Sequence, residues 1–157
     1  MTEQEIINIT SKVVENISGT SDISLEKANA LIEKVKEKAR EIGVKAVVAV
    51  ANSSANPVSV QCMDGAFIAS YDIAFNKAYT VTALKMPTSK LSELAAPGGS
   101  LYGIQFTNQG KIVIFGGGVP LYDKNGALVG GLGVSGGTES EDTFLAEYGG
   151  EIFSKGI

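Results

Sequence analysis

Nine of the chain's 19 glycines fall between Gly116 and Gly137, threaded through Val119, Leu121, Val129, Leu132 and Val134. Each glycine in a helix interior costs roughly 1 kcal/mol relative to alanine, so a stretch this dense in glycine argues against helix. The pattern predicts two strands, over residues 119–122 and 127–135, joined by the turn Asp123-Lys124-Asn125-Gly126. Glycine inside a strand marks a bulge, a close backbone approach or a surface on which another chain packs. Gly118, Gly133 and Gly136 are therefore read as glycines needed for backbone geometry or close approach. Residues 131–136 also spell G-x-G-x-x-G, the dinucleotide fingerprint. That motif works between a strand and a helix of a longer βαβ unit, and residues 137–157 leave no room for its helix, second strand and acidic ribose ligand.

Upstream, Thr2 and Glu5 form a capping box, and Ile6, Ile9, Val13 and Ile17 recur at helical spacing, which predicts a helix over residues 3–16. Gly19-Thr20-Ser21-Asp22 has turn composition. A second helix, capped near Ser24, carries Leu25, Ala28, Leu31, Ile32, Val35, Ala39 and Ile42 on one stripe and stops at Gly43. Residues 44–51 are apolar except Lys45, as in a central strand covered on both faces, and residues 57–63 alternate like its antiparallel hairpin partner. A third helix is predicted over residues 67–84, a short amphipathic turn over 88–95, a long loop to about Gly110 and another strand over 111–115. Thr138 or Ser140 can cap a last helix reaching about Ser154. This order predicts an α+β fold, an antiparallel sheet of about five strands flanked by helices.

The formal charge of −4 and the absence of a dense Lys/Arg run argue against nucleic acid and anionic membrane as partners. Lys27, Lys34, Lys36, Lys38 and Arg40 alternate with Glu26, Glu33, Glu37 and Glu41, which reads as a solvated helix face. One cysteine excludes an internal disulfide, and no secretory or membrane-spanning pattern is present, so a cytoplasmic location is expected. The 157 residues are expected to form one domain, with residues 1–20 as an N-terminal helical extension.

The chain has no histidine, which removes the Ser-His-Asp and Cys-His machinery and the commonest transition-metal ligand. The reading is therefore binding rather than catalysis, with no catalytic residue and no metal site assigned. The polar candidates are Asp64, Asp72, Lys77, Ser135 and Asp142. Structural roles are expected for several of them: a snorkelling helix lysine for Lys77, helix-start electrostatics for Asp64 and Asp142. Cys62 is expected to be a small buried hydrophobe.

Met63-Asp64-Gly65-Ala66, Lys77-Ala78-Tyr79-Thr80, Gly117-Gly118-Val119-Pro120-Leu121 and the run from Gly130 to Gly137 with Asp142 after it are together similar to the GlcG/HbpS family, across residues 24–152. The resemblance implies a PAS- or profilin-like layered fold, symmetric homo-oligomers and, for some members, heme or another tetrapyrrole. It also includes the C-terminal domain of PduO-type proteins and operons of small-molecule metabolism. The ligand-binding residues it points to are Met63, Asp64, Lys77, Gly118, Pro120, Ser135, Gly136 and Asp142. This chain departs from the family at Ser53-Ser54-Ala55-Asn56 and in lacking the histidine of some heme-binding relatives. Met63, Met86, Cys62 or a tyrosine would have to serve as an iron ligand, so weak or no specific heme binding is expected. Two other readings stand beside a small-molecule-binding oligomer. One is a non-catalytic accessory or assembly protein acting through protein contacts, and the other is an enzyme using Lys77 or Asp142 as general acid/base.

Overall fold

The apolar run that follows Gly43 becomes the inside of the sheet. In the computed structural model, which describes residues 1–17 and 22–157, it forms β1 (Val47–Asn52), and a tight turn returns the chain as β2 (Pro57–Cys62). The glycine-rich segment forms β3 (Gly118–Tyr122) and β4 (Leu128–Ser135), and the four strands lie in the order β2-β1-β4-β3 with every neighbouring pair antiparallel. The helices are α1 (Glu3–Ile17), α2 (Leu25–Glu41), α3 (Ser70–Leu84), α4 (Thr88–Ala95) and α5 (Glu139–Ser154). Among the described residues no helix is long and apolar enough to cross a membrane.

Alternation along the strands assigns the two faces. Val48 and Val50 of β1, with Leu132 and Val134 of β4, pack against Leu31, Ile32 and Val35 of α2 and Leu145 and Ala146 of α5. Val47, Ala49 and Ala51 point the other way, onto Ala74 and Ala78 of α3. Beside them β4 offers Ser135 opposite Val47, then Gly133 and Gly131, where an added Cβ would stand 2.0 Å from the Ala74 carbonyl oxygen and 2.6 Å from that of Ala78. Small residues on both sides thus let α3 lie almost backbone to backbone on β4. Of the glycines read as geometric, Gly133 is used in this way, a Cβ at Gly118 in β3 would meet Val81 and Thr88, and one at Gly136 would meet the backbone of Lys45 and Ala46; the nucleotide fingerprint starts inside β4 and ends just after it. The glycine track is covered by α3, so it offers no free surface to another chain.

Thr138 caps α5 by a complete capping box, its side chain accepting from Glu141 N–H while the Glu141 carboxylate accepts from Thr138 N–H. Thr138→Ala is expected to lower stability by about 1 kcal/mol, read from the midpoint of urea unfolding at unchanged slope.

Several expectations need correction. Among the described residues the sheet has four strands rather than about five. Among the described residues, 111–115 pair with no strand: the Thr80 hydroxyl, which donates to the Asn76 carbonyl of its own helix at 2.7 Å, accepts from Val113 N–H at 3.0 Å, so a side chain of α3 meets this segment in place of a ladder. Strand pairing in β1 begins at Val47 rather than residue 44, because Val44 N–H is held by the Ala39 carbonyl at the end of α2. Residues 67–69 form turns ahead of α3, which starts at Ser70. Leu25 and Ile42, placed on the core stripe of α2, are 58% and 38% exposed. Residues 88–95 form a complete helix rather than a turn. The turn expected over residues 19–22 falls, except for Asp22, outside the described residues.

Candidate ligand site

Lys77 leaves the middle of α3 toward the end of β4 and is fully buried. Its Nζ donates to the Val134 carbonyl at 2.8 Å and to Asp142 Oδ2 at 3.1 Å, and it lies 4.9 Å from the centroid of the Phe115 ring. Two of its three donors thus meet oxygen and the aromatic face covers the ammonium. Asp142, in the first turn of α5, accepts a second hydrogen bond from Gly137 N–H at 2.9 Å. Burial pulls Lys77 below its ordinary value and pushes Asp142 above its own, while the attraction between the two opposes both shifts. Gly117, at φ +114°, gives the pair its space, since a Cβ there would stand 2.5 Å from Lys77 Nζ. Lys77 therefore does not snorkel: its tip is held between β4 and α5.

Beside this pair is a cavity of about 250 Å³ lined by Phe67, Ser70, Phe115, Ser135, Gly136 and Asp142, among others. Ser135 Oγ donates to Ser70 Oγ at 3.2 Å, and both serines are buried. A larger cavity, about 560 Å³, opens where α2 and the loop after it meet the end of β2. It is lined by Lys36, Arg40, Lys45, Cys62, Met63 and Asp64, among others. Lys36 Nζ is 2.7 Å from both Glu33 Oε2 and Gln61 Oε1, and Arg40 is 3.5 Å from Glu33 Oε1, while Lys45 has no carboxylate within ion-pair distance among the described residues. A third cavity, about 350 Å³, shares Lys45 with the larger one and Phe67 and Gly136 with the smaller. Through these shared residues the three adjoin along a groove, with Lys36, Arg40 and Lys45 at the α2 end and Phe67 and Phe115 at the α3 end.

The expected site residues divide along this groove. Met63 and Asp64 line its basic end; Ser135, Gly136 and Asp142 line the other, with Lys77 beneath them. Gly118 supports rather than lines: its N–H donates to Thr88 Oγ1 at 2.9 Å, and a Cβ there would touch Val81 at 2.9 Å. Pro120 sits in β3 opposite Gly131 and lines none of the three cavities. Cys62 is exposed rather than buried, at the end of edge strand β2. Asp64 is exposed in the turn six residues ahead of α3, so helix-start electrostatics does not describe it, whereas Asp142 does lie in a first helical turn. Lys36, Arg40, Lys45, Ser70 and Phe115 escaped the sequence reading. Lys45 carried a signal, being the one polar residue in an apolar run; Lys36 and Arg40 were hidden in an alternating charge pattern that is mostly solvated.

The model of the HbpS-like family, described as haem degrading protein HbpS-like, matches residues 23–151. The chain is 45% identical over 133 residues to an uncharacterized 15.0 kDa protein of the dhaT-dhaS intergenic region of Citrobacter freundii, covering 85% of this chain and 93% of that one. The crystal structure of Klebsiella pneumoniae protein ORFY is similar at TM-score 0.82 and 42% identity, covering 85% and 92% of the two chains. A PduOC:heme complex is similar at TM-score 0.78 and 34% identity, covering 83% and 94%.

Proposed function

The chain belongs to the HbpS-like family, and on that premise we propose that it is a non-catalytic binding protein for a tetrapyrrole carboxylate, gripped at the basic end of the groove. One observation carries the reading: a protein of net charge −4 gathers Lys36, Arg40 and Lys45, against Asp64, around a cavity of about 560 Å³, within the size range of small-molecule sites. Charge-assisted contacts from ammonium and guanidinium groups suit ligand carboxylates, and Val44, Met63 and the aliphatic stems of the cations supply apolar wall. That one solved relative is a heme complex supports the ligand class.

The donor set fits the carboxylates of such a ligand better than its metal. No histidine exists in the chain, and Met63 Sδ already accepts from Ala46 N–H at 3.4 Å, which leaves the exposed Cys62 thiol as the freer soft donor at the cavity. Bound heme would add iron coordination to a grip that the cations provide without it. Ferric heme and a metal-free porphyrin dicarboxylate are therefore expected to bind within about tenfold of one another, in absorbance and fluorescence titrations. Arg40→Ala or Lys45→Ala should weaken each by about tenfold, the loss of one charge-assisted contact, and added salt should weaken both. Absence of saturable binding by either probe would sink the proposal. Tight binding confined to heme and abolished by Cys62→Ser would replace the carboxylate grip with iron ligation.

Homo-oligomeric assembly belongs to the same reading, though its contact surface lies elsewhere than the glycine track covered by α3. The accessory reading is favoured by a separate observation, the exposed apolar side chains of α1.

A further inference from the structure

α1 precedes the residues matched by the family model, 23–151, and every described side chain in it, residues 3–14, is exposed. Five of these are large and apolar: Ile6, Ile7, Ile9, Val13 and Val14, each 45% to 56% exposed. At 3.6 residues per turn they fall within an arc of about 160°, which also holds Thr10 and, at the first turn, Glu3, with Gln4, Asn8, Ser11 and Lys12 on the opposite side. A solitary helix of 15 residues is marginal in water, so α1 gains its stability when that arc is covered.

We propose that α1 is covered by α1 helices of other copies of this chain, packed as an antiparallel bundle in which each helix touches two neighbours. This rests on the homo-oligomeric part of the function proposed above and assigns it a surface. Charge selects both occupant and direction. Glu5 and Lys12 are seven residues apart and flank the same side of the arc, so antiparallel neighbours set Glu5 of one copy against Lys12 of the next. Parallel packing would bring the Glu3 and Glu5 ends together. A lipid surface is disfavoured, because membrane-lying helices carry Lys and Arg on the polar face, and here Glu3 and Glu5 outnumber Lys12. The width of the arc sets the number: one partner helix covers a narrow a/d seam, and a single pair this short buries too little to hold a dimer, whereas two flanking helices cover both the Ile6-Val13 and Ile7-Val14 rows.

Sedimentation velocity on the full chain at tens of micromolar tests this, with the unfolding midpoint of each variant as a check on the folded body. The full chain should be oligomeric. Ile6→Asp with Val13→Asp should reduce the mass to half or less at an unchanged midpoint, Lys12→Glu should shift association to about tenfold higher concentration, and Lys12→Arg should leave it unchanged. A monomeric full chain overturns this inference together with the homo-oligomeric part of the function. An oligomer whose mass is indifferent to both the aspartate pair and Lys12→Glu overturns this inference alone. Flotation with phosphatidylserine/phosphatidylcholine vesicles that the aspartate pair abolishes, without a change in mass, also overturns it and gives α1 to lipid.

Discussion

Replacing Lys77 with methionine is expected to destabilise the fold by about 3–5 kcal/mol, measured as a lower urea midpoint, because it leaves the Asp142 carboxylate buried without its cation. Changing both partners, Lys77→Met with Asp142→Leu, should recover most of that loss, since two apolar side chains leave no charge to desolvate. Equal destabilisation in the single and double variants would show that shape rather than charge dominates at this position. Asp142→Asn tests the same pair through pH. Lys77 already sits below its ordinary value of 10.5 because of burial, and removing the carboxylate deletes the attraction that opposes this. Between its folded value and 10.5 the unfolded chain then binds more protons than the native one, so the stability of Asp142→Asn should climb as pH rises through that window. In the unaltered protein Asp142 contributes the opposite slope at acid pH. Its value is raised above 3.8, so the native state holds the proton longer and stability falls as pH rises through that range.

Gly133→Ala is expected to cost about 3 kcal/mol or more, large for a single methyl group. The new Cβ would stand 2.0 Å from the Ala74 carbonyl oxygen and 2.7 Å from the Ala78 amide nitrogen, and both are helix backbone with no rotamer to escape into. α3 would have to lift from β4, loosening Ala74, Ala78 and the stem of Lys77 together. Thermal unfolding with groove binding measured in parallel checks this. A variant that melts like the unaltered protein would show that α3 can shift at small cost.

The hairpins and the order of elements were legible because their signals are local: the Asn52–Asn56 turn, the Asp123–Gly126 turn and alternation on either side. The false strand over residues 111–115 shows the limit of such signals. Its apolar pattern is real, and Ile112 is buried, but its partner is the hydroxyl of Thr80, more than thirty positions away. The same holds for the candidate site. Lys77 and Asp142 stand out in the sequence as polar residues on helices, yet their pairing across 65 positions leaves no periodic trace, and local pattern alone makes Lys77 a snorkelling lysine. The basic end of the groove was hidden for another reason: Lys36 and Arg40 belong to a helix on which Lys34 with Glu37 and Lys38 with Glu41 form ordinary surface pairs.

The sheet order also bears on how the chain finds its structure. β1 with β2 and β3 with β4 are hairpins that close short loops, but the central seam joins Val47 to Ser135 and Asn52 to Gly130, with α3, α4 and the long loop all lying between in sequence. Closing so large a loop costs entropy before any contact returns it. Glycines at 130, 131 and 133 on one side of the seam add few cross-strand side-chain contacts to offset that cost. The two hairpins are thus expected to form early and independently, and the rate of folding to follow the docking of α3, whose inner face lies along both β1 and β4.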